Sequence, residues 1–322
     1  MKLEDSMEII RPSSQLNLFG YEEYFKFFDK LYKKKILPNS ILLSGPKGLG
    51  KSTFVYHFIN YLLSEGEQNY YNKEKFLINE ENSTYKLIQN NTHANLFLLD
   101  AANNEEKIKI EQIRKLLLFL NKSTYYKGLK IVMLDNAEYL NVNSSNALLK
   151  AIEEPSANTF FFIINNDSQK LLNTIKSRCI DFKFNLNFSE KKNIFYKISD
   201  LYDLDFTSDD LDNFLEFDTP GNLINYLSIL KKSNLSISKD YLLCISYFMN
   251  IYSIKSDTKI LGFISLFVQK FYNQLALKNS SFVSYYHRNL NKILYLINNI
   301  KKFNLDKKNL IFTIDKIIKN ER

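Results

Sequence analysis

Cysteine, glycine and tryptophan are scarce in this sequence of 322 residues, which has two cysteines, eight glycines and no tryptophan. Cys179 and Cys244 form no CxxC pair, so the sequence offers neither a zinc ribbon nor a disulfide framework. Two free thiols favour a reducing compartment. Average usage would give about 22 glycines, so each glycine that is kept is expected to serve a backbone conformation.

Long apolar segments are also missing. The N-terminal segment 1–14 (MKLEDSMEIIRPSS) lacks the apolar region of a signal peptide. The sequence has no run of about 18 uncharged apolar residues, so it predicts no transmembrane span. These absences predict a cytoplasmic protein with no membrane partner.

Hydrophobic residues make up 45% of the chain and charged residues 24%, which is typical of a soluble globular protein. The 43 basic and 35 acidic residues give a net charge of +8, and the excess is concentrated in residues 231–322, with 16 basic and 5 acidic side chains. This basic region is either a solvated helical surface or a face that meets DNA or an acidic partner.

The first part of the chain alternates short apolar runs with helical patterns. Near-continuous apolar runs are typical of buried parallel strands, and their alternation with helices predicts a parallel five-stranded sheet with helices on both faces. We assign residues 1–186 to this α/β domain. The runs are 41–44 (ILLS), 96–99 (LFLL), 130–134 (KIVML), 160–164 (FFFII) and 180–184 (IDFKF).

After residue 188 the strand pattern stops. Ser189 is a candidate N-cap for one helix, Thr207 or Ser208 for another, and Pro220 fits the first turn of a third. These elements predict a small helical domain over residues 187–232 and a second all-helical domain over 233–322.

The strongest local motif is GPKGLGKST, which fits the phosphate-binding pattern G-x-x-x-x-G-K-[ST] between a predicted strand and a predicted helix. Its glycines let backbone N–H groups turn toward a phosphate, its lysine reaches the β- and γ-phosphates, and its serine ligates Mg²⁺. A strand-to-helix turn without a ligand is the alternative. The predicted ATP-binding residues are Gly45, Pro46, Lys47, Gly48, Leu49, Gly50, Lys51, Ser52 and Thr53.

A nucleotide site of this kind needs an acid at the end of a neighbouring strand, and Asp135 supplies it after the run 131–134. Ser52 and Asp135 are therefore the predicted Mg²⁺ ligands. Hydrolysing enzymes of this kind usually place a glutamate directly after that aspartate, whereas this chain has Asn136, which cannot take a proton. Glu138 lies three positions after Asp135, beyond the predicted end of the strand, where we do not expect it to reach the same water. We therefore expect binding of ATP with little hydrolysis.

Two further motifs are present: NALLKAIEEP at residues 146–155, and Ser177, Arg178 and Cys179 about 20 residues later. With them, the chain resembles the bacterial clamp-loader AAA+ proteins. The resemblance covers the first 186 residues and implies an α/β AAA+ P-loop domain, a helical lid and a C-terminal all-α collar. Three departures favour the delta-prime branch over the gamma/tau branch. The chain has no zinc cysteines after the P-loop, it has Asn136 where that branch has glutamate, and it has no basic residue over 221–227.

The resemblance implies roles for three further residues. Arg178 is the expected arginine finger, which acts in trans on the nucleotide of the adjacent subunit, with a surface arginine as the alternative. Asn166, at the end of the fourth strand, is the expected sensor 1, against a plain loop asparagine. Lys150 could contact duplex phosphate, and a solvated lysine is an equal alternative; Cys179 is read as a packing residue.

Membership of the delta-prime branch implies a stator within a hetero-pentamer that contains gamma/tau and delta subunits. That complex acts on the sliding clamp and on primer–template DNA, and it belongs to the DNA polymerase III holoenzyme, a nucleotidyltransferase. The subunit's own ATPase is expected to be weak or absent. The alternatives are a catalytically active AAA+ ATPase, either gamma/tau-like or a DNA-repair remodeller, and, with least support, a P-loop kinase.

Overall fold

The fold was analysed in a computed structural model. It describes residues 11–100, 108–122, 128–166, 170–204, 214–216, 218–232, 241–255, 258–303 and 307–320. The chain divides into two compact units, and the first comprises residues 1–203 with 213–225. The second comprises residues 204–212 with 226–322.

The first unit is built on a five-stranded parallel sheet in the order β2-β3-β4-β1-β5. Every residue of β1 and β4 is buried, as is all of β3 except its last residue, which explains why these segments read as continuous apolar runs. The prediction of a five-stranded parallel sheet is confirmed. The strands are β1 (Ser40–Ser44), β2 (Leu96–Asp100), β3 (Lys130–Asp135), β4 (Thr159–Asn165) and β5 (Ile180–Lys183).

Helices cover both faces of the sheet. One core contains buried side chains of α1, α2 and α3 against the sheet, with many edge-to-face phenylalanine contacts such as Phe28 against Phe54. The other core contains buried side chains of α4, α5 and α6. The helices are α1 (Glu22–Lys33), α2 (Lys51–Leu63), α3 (Ser83–Gln89), α4 (Ile110–Asn121), α5 (Val142–Glu153) and α6 (Asn173–Lys176).

After the sheet, the described residues include the helices α7 (Phe188–Tyr202) and α8 (Pro220–Lys232). The N-cap of α7 is Asn187, whose side chain accepts from the Glu190 backbone N–H while Glu190 accepts from that of Asn187. The prediction of Ser189 as the cap is therefore wrong, because a complete capping box forms two residues earlier. Pro220 begins α8, as predicted. The start of the helix predicted from Thr207 or Ser208 lies outside the described residues, and residues 214–216 near its predicted end are helical.

In the second unit, the structure describes the end of α8 and the helices α9 (Tyr241–Lys255), α10 (Thr258–Lys278), α11 (Val283–Phe303) and α12 (Lys307–Lys319). Within the described residues, one helix, Ile260–Lys278, is long and apolar enough to cross a membrane, and half of it is buried in the protein. Lys270 interrupts its apolar sequence, and Phe263 and Phe267 pack against Phe248 of α9. A core helix of a soluble unit has these same properties.

Helix α2 is buried on nearly all sides and carries His57, which has no exposed surface. Its Nε2 lies 3.0 Å from the Gln15 carbonyl oxygen, and its Nδ1 lies 3.1 Å from the Tyr71 hydroxyl. Because a carbonyl only accepts, Nε2 carries the proton and Nδ1 accepts from Tyr71. Burial lowers the pKa of His57 from 6.5 to about 3, although the bond to Gln15 opposes this shift.

This buried histidine makes the stability of the first unit dependent on pH. Below pH 6.5 the unfolded chain binds a proton at His57 that the native state does not bind, so stability falls as pH falls. We expect His57 to contribute about 1.4 kcal/mol of lost unfolding free energy per pH unit between about pH 6 and pH 4. Urea unfolding at several pH values should show a shallower decline for His57→Gln than for the wild type, and parallel declines would contradict the assignment.

Candidate nucleotide-binding site

The P-loop, residues 45–50, connects β1 to the first residue of α2. Gly45, Gly48 and Gly50 have φ angles of 147°, 84° and 86°, in the region that side chains other than glycine adopt only with strain. Gly50 caps α2, so the loop leads directly to the positive end of a 13-residue helix. Three of the eight glycines thus serve one turn, as their scarcity in the sequence predicts.

Every carbonyl of this loop accepts a hydrogen bond from the protein. Lys51 Nζ donates to the carbonyls of Gly45 and Pro46 at 2.7 and 2.8 Å, and the Tyr21 hydroxyl donates to that of Leu49 at 2.6 Å. The Gly50 carbonyl accepts from the Phe54 N–H at 2.9 Å. The carbonyls of residues 47 and 48 are bound by residues near the start of α8, as described below.

The N–H groups of the same loop behave differently. Within the described part of the chain, the backbone N–H groups of residues 47–50 have no protein acceptor. A concave row of unsatisfied N–H groups at a helix N-terminus, with its carbonyls held elsewhere, is an anion-binding arrangement. The loop therefore fits a bound phosphate, and the buried ammonium of Lys51, bonded to carbonyls of the same loop, adds a positive charge there.

Ser52 and Asp135 lie next to each other at the same edge of the sheet. Ser52 Oγ donates to Asp135 Oδ2 at 2.6 Å across the gap between α2 and the end of β3. A hydroxyl and a carboxylate are the oxygen ligands that Mg²⁺ uses beside a nucleotide phosphate. The structure brings the two predicted magnesium ligands together, and their chemistry fits the ion.

Two asparagines complete this edge. Asn166 Nδ2 lies 3.0 Å from Asn136 Oδ1 and 3.4 Å from Asp135 Oδ1, so the predicted sensor 1 position adjoins the predicted magnesium ligand. Asn136 has a left-handed backbone, with φ at 57°, and its Nδ2 donates to Asp100 Oδ1 at 2.6 Å. The side chain at position 136 is thus held on both sides and offers no group that can take a proton from water.

Glu138 does not replace the missing glutamate. Its side chain is buried, and Oε2 accepts the Asn166 backbone N–H at 3.2 Å. This contact uses the carboxylate to support the loop after β4. The site therefore fits a phosphate beside the Lys51 ammonium and a divalent ion beside Ser52 and Asp135, but it lacks a base directly after Asp135.

The first turn of α8 touches the P-loop directly. The Thr219 hydroxyl and the Gly221 N–H donate to the carbonyls of Lys47 and Gly48 at 2.7 and 2.9 Å, and Asn222 Nδ2 lies 3.4 Å from the Lys47 oxygen. The backbones are so close that a Cβ on Gly221 would lie 2.6 Å from the Gly48 oxygen. Thr219 and Asn222 were missed by sequence reasoning, and the scarce Gly221 was the one signal pointing to this contact.

Arg178 lies at the opposite edge of the sheet. It lies two residues before Ile180, the first residue of β5, which pairs with Ile41 near the start of β1, whereas Phe184, just after β5, lies beside Gly45. From Ile180 to Phe184 the chain takes four steps, and a strand rises about 3.3 Å per residue. The start of β5 therefore lies about 13 Å from the P-loop edge, and Arg178 precedes it in the turn after α6. The arginine therefore does not join its own nucleotide site.

The structure places the two remaining predicted residues as follows. Lys150 is exposed on α5. Cys179 packs against the core formed by α4, α5 and α6, and burial together with the Asp181 charge raises the pKa of its thiol to about 12. Cys179 is thus protonated at neutral pH and serves as a packing residue, since the thiolate is the nucleophilic form.

The sheet order, the P-loop and the adjacent Ser52 and Asp135 define a P-loop protein of the AAA+ type. A family model described as DNA polymerase III, delta subunit, matches residues 20–187, just over half of the chain. The chain belongs to this family.

Individual relatives agree with this assignment. DNA polymerase III subunit delta′ of Pseudomonas aeruginosa is 35% identical over 142 residues, covering 44% of this chain and 42% of that protein. Subunit delta′ of Buchnera aphidicola is 25% identical over 312 residues, covering 87% and 90%. Subunit gamma of the same organism is 28% identical over 176 residues, covering 55% and 46%. The chain is thus similar to both delta′ and gamma subunits, and it spans less than half of the length of the P. aeruginosa protein in their match.

The contact between Gly221 and Gly48 generates a stability prediction. Gly221→Ala should destabilise the protein by about 1–3 kcal/mol, because the new methyl group must push the α8 backbone away from the P-loop. The matched control is Gly262→Ala in α10, where a Cβ meets nothing within 4 Å. That substitution should stabilise its helix by roughly 0.5–1 kcal/mol. Denaturant unfolding of both variants tests the contact, and equal effects would contradict it.

Proposed function

We propose that this chain is the delta-prime subunit of a DNA polymerase III clamp loader. In this role it is a stator that helps load the sliding clamp on primed DNA and donates Arg178 to the ATP site of the adjacent subunit. The observation that carries the proposal is the pairing of a P-loop site that lacks a catalytic glutamate with an arginine at the opposite edge of the sheet. Family membership supports the same role.

The position of Arg178 supports action in trans. An arginine finger stabilises the negative charge that develops on the transferred phosphoryl group. Arg178 precedes the end of β5 that lies about 13 Å from its own P-loop edge by the strand rise, and its side chain is 31% exposed. Such an arginine can serve only a nucleotide that a second subunit presents to that edge.

The geometry of the site supports binding of ATP with Mg²⁺ and little hydrolysis. The N–H groups of residues 47–50 and the Lys51 ammonium would hold the phosphates, and Ser52 and Asp135 would hold the ion. When bound, Mg²⁺ would neutralise negative charge on the phosphates. Asn166 would orient the terminal phosphate or its water, while Asn136, tied to Asp100 and Asn166, supplies no base.

The proposed partners are gamma/tau and delta subunits in a hetero-pentamer, with the sliding clamp and primer–template DNA engaged through the complex. The C-terminal helices α9–α12 would form its share of the collar over residues 233–322, after a lid over 187–232. Lys150 is a candidate contact to duplex phosphate because it is exposed on α5 and because cationic side chains bind DNA through phosphates. The cytoplasm is the proposed location.

The isolated chain should bind ATP and turn it over very slowly. Lys51→Met should weaken ATP binding by at least about tenfold, because it removes a charged hydrogen-bond donor from the phosphates. Isothermal titration with ATP and Mg²⁺ measures the affinity, and phosphate release measures turnover. Robust turnover that Asp135→Ala abolishes would favour the alternative, a catalytically active gamma/tau-like ATPase.

In a complex reconstituted with gamma and delta subunits, Arg178→Ala should leave assembly intact and lower DNA-stimulated ATP turnover. We expect a loss of at least about tenfold at the site this chain serves, given the effect of arginine fingers in related chemistry. Lys176→Ala is the matched control, since Lys176 is an exposed cation two residues away. Turnover that is unchanged by Arg178→Ala, or equally reduced by both substitutions, would rule out the finger.

A further inference from the structure

Arg178 is held by two contacts from two different helices. Its Nε donates to Glu153 Oε2 at 3.0 Å, and its Nη1 donates to the Thr174 carbonyl at 3.1 Å. Glu153 is the last residue of α5, and Thr174 lies in α6. Because the guanidinium is planar and rigid, contacts to two of its nitrogen atoms fix its orientation.

These contacts leave part of the guanidinium available. Of its five N–H donors, one on Nε and one on Nη1 are used, and Nη2 has no hydrogen-bond partner among the residues that the structure describes. A phosphate is bound by adjacent N–H donors at the end of the group. Arg178 is therefore anchored through Nε and one N–H of Nη1, the inner donors. The remaining N–H groups, the outer donors, are available to bind a phosphate.

The ion pair itself adds little to the stability of the fold. The Glu153 side chain is 56% exposed and that of Arg178 is 31% exposed, and water screens ion pairs at such sites. Glu154, the next residue and also exposed, makes no contact to Arg178 among the bonds that the described residues form. Of these two adjacent exposed glutamates, only Glu153 contacts the arginine among the described residues.

We propose that Glu153 is a positioning residue for Arg178. It holds the guanidinium so that the outer donors face the nucleotide of the adjacent subunit, and so reduces the conformational freedom that Arg178 must lose when the finger engages. This inference rests on the proposed function of Arg178 as a finger in trans. It assigns a specific role to the first glutamate of the EEP stretch at 153–155.

The test is a double-mutant cycle in the reconstituted clamp-loader complex. Glu153→Gln keeps the size of the side chain but removes its charge, and Glu154→Gln is the matched control. We expect Glu153→Gln to lower kcat for DNA-stimulated ATP turnover by about threefold, as an exposed ion pair allows, with little change in KM, because the loss falls on transition-state stabilisation. Glu154→Gln should match the wild type. Size-exclusion chromatography and thermal unfolding should show that each variant folds and assembles.

The cycle separates positioning from a general structural effect. In the Arg178→Ala background, Glu153→Gln should cause no further loss, because the group that it orients is gone. An equal loss in both backgrounds, or no loss from Glu153→Gln while Arg178→Ala is impaired, would overturn the positioning role and leave the finger standing. No loss from Arg178→Ala would instead remove the proposed function itself.

Discussion

The common direction of the five strands is the constraint on which the chemistry of this chain depends. Because all strands run parallel, their carboxyl ends meet at one edge of the sheet, and the P-loop, Asp135 and Asn166 all follow directly from that edge. The amino end of β5 lies at the other edge, and Arg178 precedes it. The parallel direction of the strands thus places the nucleotide-binding groups at one edge of the sheet and Arg178 at the other.

Within that arrangement, the P-loop owes its shape to bonds from three parts of the first unit. Lys51 in α2, Tyr21 before α1, and the segment from Thr219 to Asn222 each bind carbonyls of the loop. Since a buried carbonyl must be satisfied, these partners decide which way each peptide group faces. The N–H groups of residues 47–50 are left without a protein acceptor in the described part of the chain, as a phosphate site requires.

Much of this architecture could be predicted from the sequence, because buried parallel strands and a P-loop have local signatures. All five predicted strands agree with the structure to within one residue at each end. Ser52 was predicted as a magnesium ligand from the P-loop motif, and Asp135 from the end of the third apolar run. The N-cap of α7 was missed even though the Asn187–Glu190 capping box is a local pattern, because Ser189 is an equally common capping residue. Two residues suited to an N-cap lie two positions apart, and the reciprocal bonds with Glu190 distinguish Asn187 from Ser189.

Other features could not be predicted because they join residues far apart in the chain. Nothing local indicates that Thr219 binds the Lys47 carbonyl, 172 positions away, or that Tyr21 reaches Leu49. Glu153 was visible as part of a family motif, but its partner Arg178 lies 25 residues later. Such contacts depend on how helices pack on the sheet, and periodicity carries no information about them.

The separation of phosphate cradle and arginine also gives any assembly of such chains a polarity. A contact that joins the cradle edge of one subunit to the arginine edge of the next is heterologous, with two different surfaces meeting. When a row built this way does not close into a ring, its two ends are unequal. The arginine of one terminal subunit contacts no nucleotide, and the nucleotide site of the other is reached by no arginine. Under the proposed function, a chain that has the arginine but no base of its own would occupy the end position, where no arginine reaches its own P-loop.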